Sequence, residues 1–269
     1  MKRVLTAIVL IPLLIFAVRF SSPLLFTLLV AVASVLALQE FFSLVKKSGV
    51  EPYPLLGQFF GLALIASFHL CVRNQSAAAV LLIVAALSFL ALGLSRGNQL
   101  NQVLPGAAVT LLGVVYIPAT LGLLVTVRAN TSLGSQAPRW ILFFLSVVWL
   151  GDTAAYCVGK TLGRHKLAPR ISPKKTVEGA VGGVVGNLLA ALVSKKILLP
   201  EVPLLCLFLL SAIMGVAGQL GDLAESALKR GAGIKDSSNL LPGHGGLLDR
   251  IDAVLFAAPI LFGYARFFL

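Results

Sequence analysis

The chain has 269 residues, 58% hydrophobic and 12% charged, with a formal net charge of +12. So few charges cannot clothe a soluble globule, which excludes a soluble enzyme or a nucleic-acid-binding domain as the source of the basic balance. The excess of Lys and Arg reads instead as topology, since cytoplasmic loops of membrane proteins are rich in both.

Apolar runs of about twenty residues, long enough to cross a hydrocarbon core, fall at about 4–20, 24–44, 55–72, 76–95, 103–126, 140–159, 177–196, 203–222 and 250–268. They lack the alternation of barrel strands, and backbone in lipid must pair internally, so helices are expected. The fold expected is all-α, a polytopic integral membrane bundle of about nine transmembrane helices. Lys2-Arg3 before the first run could pass for the start of a signal peptide. No small-residue cleavage site precedes Arg19, which favours an uncleaved first helix. Cys71, Cys157 and Cys206 sit in or beside separate runs without a CxxC pair, so zinc and disulfide frameworks are not expected. Residues 1–139 carry only Glu40 and Glu51 of the ten carboxylates and read as scaffold and lipid-facing wall. Pro138-Arg139-Trp140 marks the boundary to a chemical half, residues 140–269, with two polar loops.

Asp152 follows an apolar run at membrane depth, where a carboxylate costs about 2.5–3.5 kcal/mol and normally faces a cavity or a partner. An ion pair with Lys160 or Arg164 is the plainer reading. Gly159-Lys160-Thr161 imitates the tail of a phosphate-binding loop, but Ala154 holds the first glycine position and no strand precedes it, so that chemistry is rejected. Ser172-Pro173-Lys174-Lys175-Thr176, just before the 177–196 run, sets two lysines beside free helix N–H groups, a favourable place for an anion. Glu178 in the first turn suits the helix dipole. Small residues recur at helix-contact spacing in Gly179/Gly183, Gly182/Gly186 and Gly215/Gly218/Gly221, which predicts tightly packed, buried helices.

The densest polar chemistry lies in Ser226–Asp252, between two apolar runs. Asp222, Asp236, Asp249 and Asp252 lie among Lys229, Arg230, Lys235, His244 and Arg250, interleaved with glycines. Acids can hold a divalent cation there, while bases and glycine backbone hold phosphate oxygens. Asp222, near the end of its helix, is disfavoured by the dipole unless a cation reverses the penalty. Asp249 and Asp252 fall at i and i+3 on one helix face, although Asp249 could be a plain N-cap. Asp222 and Asp249 flank the polar segment and are the best pair for a metal, with Asp252 a further candidate. For each basic residue alone, a solvated or headgroup-facing side chain is the commoner role.

These residues also carry a resemblance. Ser226-Ala227-Leu228-Lys229-Arg230, Lys235-Asp236, Ser238, Pro242, His244-Gly245-Gly246 and Asp249-Arg250-Ile251-Asp252 resemble the signature of the phosphatidate cytidylyltransferase (CDP-diacylglycerol synthase) family. Ile171–Gly179 and Asp152–Tyr156 are similar to that family too, so the motifs cover the C-terminal half. The resemblance implies CTP and phosphatidic acid as substrates, CDP-diacylglycerol and pyrophosphate as products, and membrane lipids as surroundings. A homodimer is one assembly consistent with it. Asp222, Asp249, Lys229 and Arg250 are then expected to be catalytic. Ser172, Lys174, Lys175, Ser226, Arg230, Lys235, Asp236, His244 and Asp152 are expected to bind substrate. Magnesium is the expected ion, with room for a second cation. His244 is expected to contact nucleotide or phosphate, because an ionised phosphate monoester scarcely needs a base. The site should face the cytoplasm at a bacterial inner membrane. A CTP-dependent polyprenol or lipid-alcohol kinase and, less favoured because the carboxylates gather in one half, a transporter remain as alternatives.

Overall fold

The computed structural model describes residues 12–72, 74, 76–96, 100–235, 237–238 and 245–269. In chain order its helices are α1 (Pro23–Lys47), α2 (Pro54–Leu70), α3 (Ser76–Gly93), α4 (Leu100–Ala129), α5 (Ala137–Thr161), α6 (Val177–Ile197), α7 (Leu204–Gly231) and α8 (Leu248–Phe268). Among the described residues seven are long and apolar enough to cross a membrane, while α2 is apolar but shorter. Every apolar run expected from 24–44 onward coincides with one of these helices, and the chain is a polytopic α-helical membrane protein. Of the first expected run, 4–20, residues 12–20 are helical, and the remainder lies outside the described residues. One element departs from an all-helical reading, a small antiparallel ribbon of β1 (Lys166–Ala168) and β2 (Ser172–Thr176).

Contacts divide the chain into two compact units. The first joins Ser21–Asn130 to Leu228–Arg250, and the second joins Thr131–Ala227 to Ile251–Leu269. The segment that holds most of the polar signature therefore clusters with the N-terminal helices.

In the first unit Leu38, Phe41 and Phe42 of α1, Leu64 and Ile65 of α2, Phe89 of α3 and Ile117 of α4 are buried. Helix α4 carries a π turn at Val115–Ala119 around Pro118, which lacks the N–H that a regular turn needs. The Thr120 hydroxyl donates to the Tyr116 and Ile117 carbonyls, at 2.6 and 3.0 Å, so backbone acceptors beside the irregular turn stay satisfied.

In the second unit α5 and α6 pack closely, as the small-residue spacing predicts. Helix α6 is inside out relative to a helix of a soluble protein. Gly182, Gly183, Gly186 and Ala190 are buried, whereas Val181, Val185 and Leu189 are exposed. A Cβ on Gly182 would come within 2.6 Å of the Val158 side chain. Lipid tails are as apolar as valine, so burying a large side chain gains nothing there, and close backbone approach decides which face turns inward. The ribbon leads straight into α6. Thr176 is extended and caps the helix, its hydroxyl accepting from Gly179 N at 3.1 Å.

Candidate active site

The second unit holds Asp222 on α7. Its Oδ2 lies 2.6 Å from Lys175 Nζ, with the two side chains 39% and 25% exposed. The Ser226 hydroxyl, one turn on, donates to Asp222 Oδ1 at 3.4 Å. The two lysines expected to act as a pair at a helix start lie instead on strand β2, ahead of the cap. Successive strand residues point to opposite faces, so Lys175 turns toward Asp222 while Lys174 is exposed. Ser172 is half-buried at the start of β2, paired with Ala168. Glu178 does more than favour a dipole. Its carboxylate accepts from the backbone N–H of Arg164 (3.0 Å) and His165 (3.2 Å), and lies 2.6 Å from the His165 ring, so it ties the turn before β1 to α6.

Asp152, on α5, lines a small pocket with Asn187, Gln219 and Met214. Lys160 lies over the Tyr156 ring, 5.8 Å from its centroid. Helices α7 and α8 approach closely at Gly218 and Gly221, where a Cβ on Gly221 would lie 2.5 Å from the Asp252 carbonyl. The Asp252 carboxylate accepts from Ala253 N at 2.7 Å. Glu225, three residues past Asp222, is buried.

The first unit holds Asp249 in the first turn of α8. It is not the N-cap, because the helix begins at Leu248 and the side chain accepts from an amide upstream. Its Oδ1 is 2.5 Å from Lys229 Nζ, and the two side chains are only 7% and 11% exposed. Its Oδ2 accepts from Ser237 N (3.1 Å), Ser237 Oγ (2.9 Å) and Gly246 N (2.8 Å). Gly245 has φ +79°, the left-handed turn that brings the next amide inward. Gly246 must be glycine for a different reason, since a Cβ there would overlap Ser237 Oγ and the Glu40 carboxylate.

Glu40 is the residue that sequence reasoning missed. It is buried on α1, and it accepts from Ser238 Oγ (2.6 Å) and Leu247 N (3.0 Å) on Oε1, and from Ser237 Oγ (3.0 Å) and Leu248 N (2.8 Å) on Oε2. A signal existed, because a carboxylate inside an apolar run calls for a partner as much as Asp152 does.

Of the expected phosphate-binding residues, Arg230, Lys235 and Arg250 are exposed, and Arg230 donates to the Ile234 carbonyl at 3.2 Å. Asp236 and His244 lie outside the described residues. Among the described residues no three His, Cys, Asp or Glu side chains form a metal-binding group. A magnesium ion needs only one or two protein carboxylates, with water and substrate phosphates completing its shell. Asp222 fits that demand, being a part-exposed carboxylate with a hydroxyl beside it. Asp249 fits once Lys229 leaves Oδ1, since its other oxygen already accepts three bonds.

Both charged pairs thus join a candidate metal ligand to a candidate phosphate binder, Asp222 with Lys175 and Asp249 with Lys229. A model of the cytidylyltransferase family matches residues 1–268. A phosphatidate cytidylyltransferase of Staphylococcus saprophyticus is 41% identical over 176 residues, 65% of either chain. One of Bacillus subtilis is 44% identical over 151 residues, covering 56% of this chain and 55% of that protein. One of Staphylococcus aureus is 38% identical over 176 residues, again 65% of either chain. The matched stretches thus span less than two thirds of these relatives' own length. With the family model matching almost from end to end, the chain belongs to the cytidylyltransferase family.

Proposed function

We propose that the protein transfers the cytidylyl group of CTP to phosphatidic acid, giving CDP-diacylglycerol and pyrophosphate. An oxygen of the lipid phosphate attacks the α-phosphorus of CTP, and the bond to the oxygen that bridges to the β-phosphate breaks as pyrophosphate leaves. Every reactant is an anion, so catalysis demands charge neutralisation and alignment more than proton transfer. The observation that carries the reading is the pairing of a carboxylate with a lysine in both signature segments, Asp222 with Lys175 and Asp249 with Lys229. Each lysine is held by a carboxylate. A phosphate can take the lysine over, which frees carboxylate oxygens for a cation. Asp222 and Asp249 are the side chains suited to hold magnesium, which when bound would neutralise phosphate oxygens. Lys175 and Lys229 serve as phosphate contacts, with Arg230, Lys235 and Arg250 as exposed bases for the incoming triphosphate.

Isotope placement tests the reaction. With purified protein, phosphatidic acid and magnesium, label from α-labelled CTP should enter a lipid product and label from γ-labelled CTP should not. With a polyprenol in place of phosphatidic acid, lipid labelled from γ-labelled CTP alone would establish a lipid-alcohol kinase, and no α-label in lipid with phosphatidic acid would rule out the proposed transfer.

CTP is a cytosolic solute and phosphatidic acid a leaflet lipid, so both signature segments should open at the cytoplasmic face of the cell membrane. Single cysteines replacing Leu167 and Lys235, in a background without Cys71, Cys157 and Cys206, should react with an impermeant maleimide only from the inner side. Leu167 and Lys235 are exposed, so the labels can reach them. Modification of either position from outside would separate the two segments and end the shared-face reading.

A further inference from the structure

We infer that Glu40, on the N-terminal helix α1, is a positioning residue for cytidylyl transfer, orienting Asp249 through Ser237 and fixing both ends of the signature loop. The inference rests on the reaction proposed above. A carboxylate has about four lone-pair sites, and Glu40 faces four donors, two backbone amides, the Ser238 hydroxyl and the Ser237 hydroxyl that it shares with Asp249. Ser237 and Ser238 lie at one end of the loop, Leu247 and Leu248 at the other, so one side chain closes the loop at its base. The Leu248 amide opens α8, where helical N–H groups have no partner inside the helix. An anion there also suits the helix dipole. Glu40 therefore caps α8 from a position 208 residues earlier in the chain.

The link to Asp249 is one hydroxyl. Ser237 Oγ lies 3.0 Å from Glu40 Oε2 and 2.9 Å from Asp249 Oδ2. Its single proton lies between two carboxylates, so moving either acid moves the other. Asp249 has Lys229 against its second oxygen, and its orientation is then set from both sides. Ser237 and Glu40 are both buried, at 5% and 6% exposure, so water cannot take the place of either. The N-terminal helices thus supply a working part of the site.

Glu40→Gln keeps the size of the side chain but sets an NH₂ group against N–H and O–H donors. In purified protein it should lower kcat by about 10–100-fold, as losing a group that orients a metal ligand typically does. It should also raise the magnesium concentration needed for half-maximal rate and for half of the magnesium-induced rise in thermal midpoint, while KM for CTP changes little. A residue that merely holds the fold together would lower the amount of active protein and leave the magnesium dependence unmoved. Ser237→Ala removes only the link and should reproduce the magnesium shift. The Glu40→Gln/Ser237→Ala double variant should be no worse than Glu40→Gln alone, because residues acting through one path are not additive. Additive losses, or a Glu40→Gln enzyme with wild-type kcat and magnesium dependence, would overturn the inference alone. A wild-type protein that puts no α-label into lipid would overturn the reaction reading and this role with it. Should Glu40→Gln fail to fold, Ser237→Ala alone carries the test, and an unshifted magnesium requirement there counts against the inference.

Discussion

Replacing Asp222 by Asn should lower cytidylyl transfer by about 10²–10³-fold, the range seen when one preorganised stabiliser of transition-state charge is lost. The same change should hardly touch stability. Asp222 and Lys175 are 39% and 25% exposed, and ion pairs this open to water are worth at most about 1 kcal/mol. Asn keeps the carbonyl oxygen that the Ser226 hydroxyl reaches. The variant should therefore insert, purify and melt like the wild type while turning over little substrate. Lys175→Ala tests the other half of the pair and should lower turnover more than Lys174→Ala, because only Lys175 faces Asp222. Near-normal activity of Asp222→Asn at saturating magnesium would remove Asp222 from the ligand set.

The membrane-spanning helices were legible because lipid imposes a single rule. A run of twenty apolar residues has only a helix available, and the runs from 24–44 onward coincide with helices for that reason. The packing face of α6 was legible too, since the overlapping pairs Gly179/Gly183 and Gly182/Gly186 favour close backbone approach in lipid. The ribbon was not. Lys166–Ala168 and Ser172–Thr176 are short and polar, and they pair because the turn between them returns the chain, which no local periodicity reveals. The consequence was functional, for two lysines read as neighbours at a helix start lie on opposite faces of a strand. Glu40 escaped for a different reason. Its partners come 197 to 208 residues later, and sequence alone shows only an acid in an apolar run. The same cue was applied to Asp152, in the half rich in carboxylates, whereas Glu40 stood in a half read as scaffold.

Asp249→Asn should abolish activity as well, but with a different signature. Asp249 and Lys229 are 7% and 11% exposed, so removing one charge strands the other in a poorly solvated place. Breaking such a pair costs about 3–5 kcal/mol, and the new NH₂ would stand as a donor against either Lys229 or the amides of Ser237 and Gly246. Lost activity in this variant alone could then reflect a damaged loop. The double variant Asp249→Asn/Lys229→Met separates the two causes. Replacing a buried pair by neutral groups of similar size is often neutral or stabilising, so the thermal midpoint should recover most of what the single variant loses. If Asp249 serves chemistry through its charge, activity should stay at least about 10²-fold down despite that recovery. Activity returning in step with stability would make the pair purely structural and leave the chemistry to be sought elsewhere in the signature.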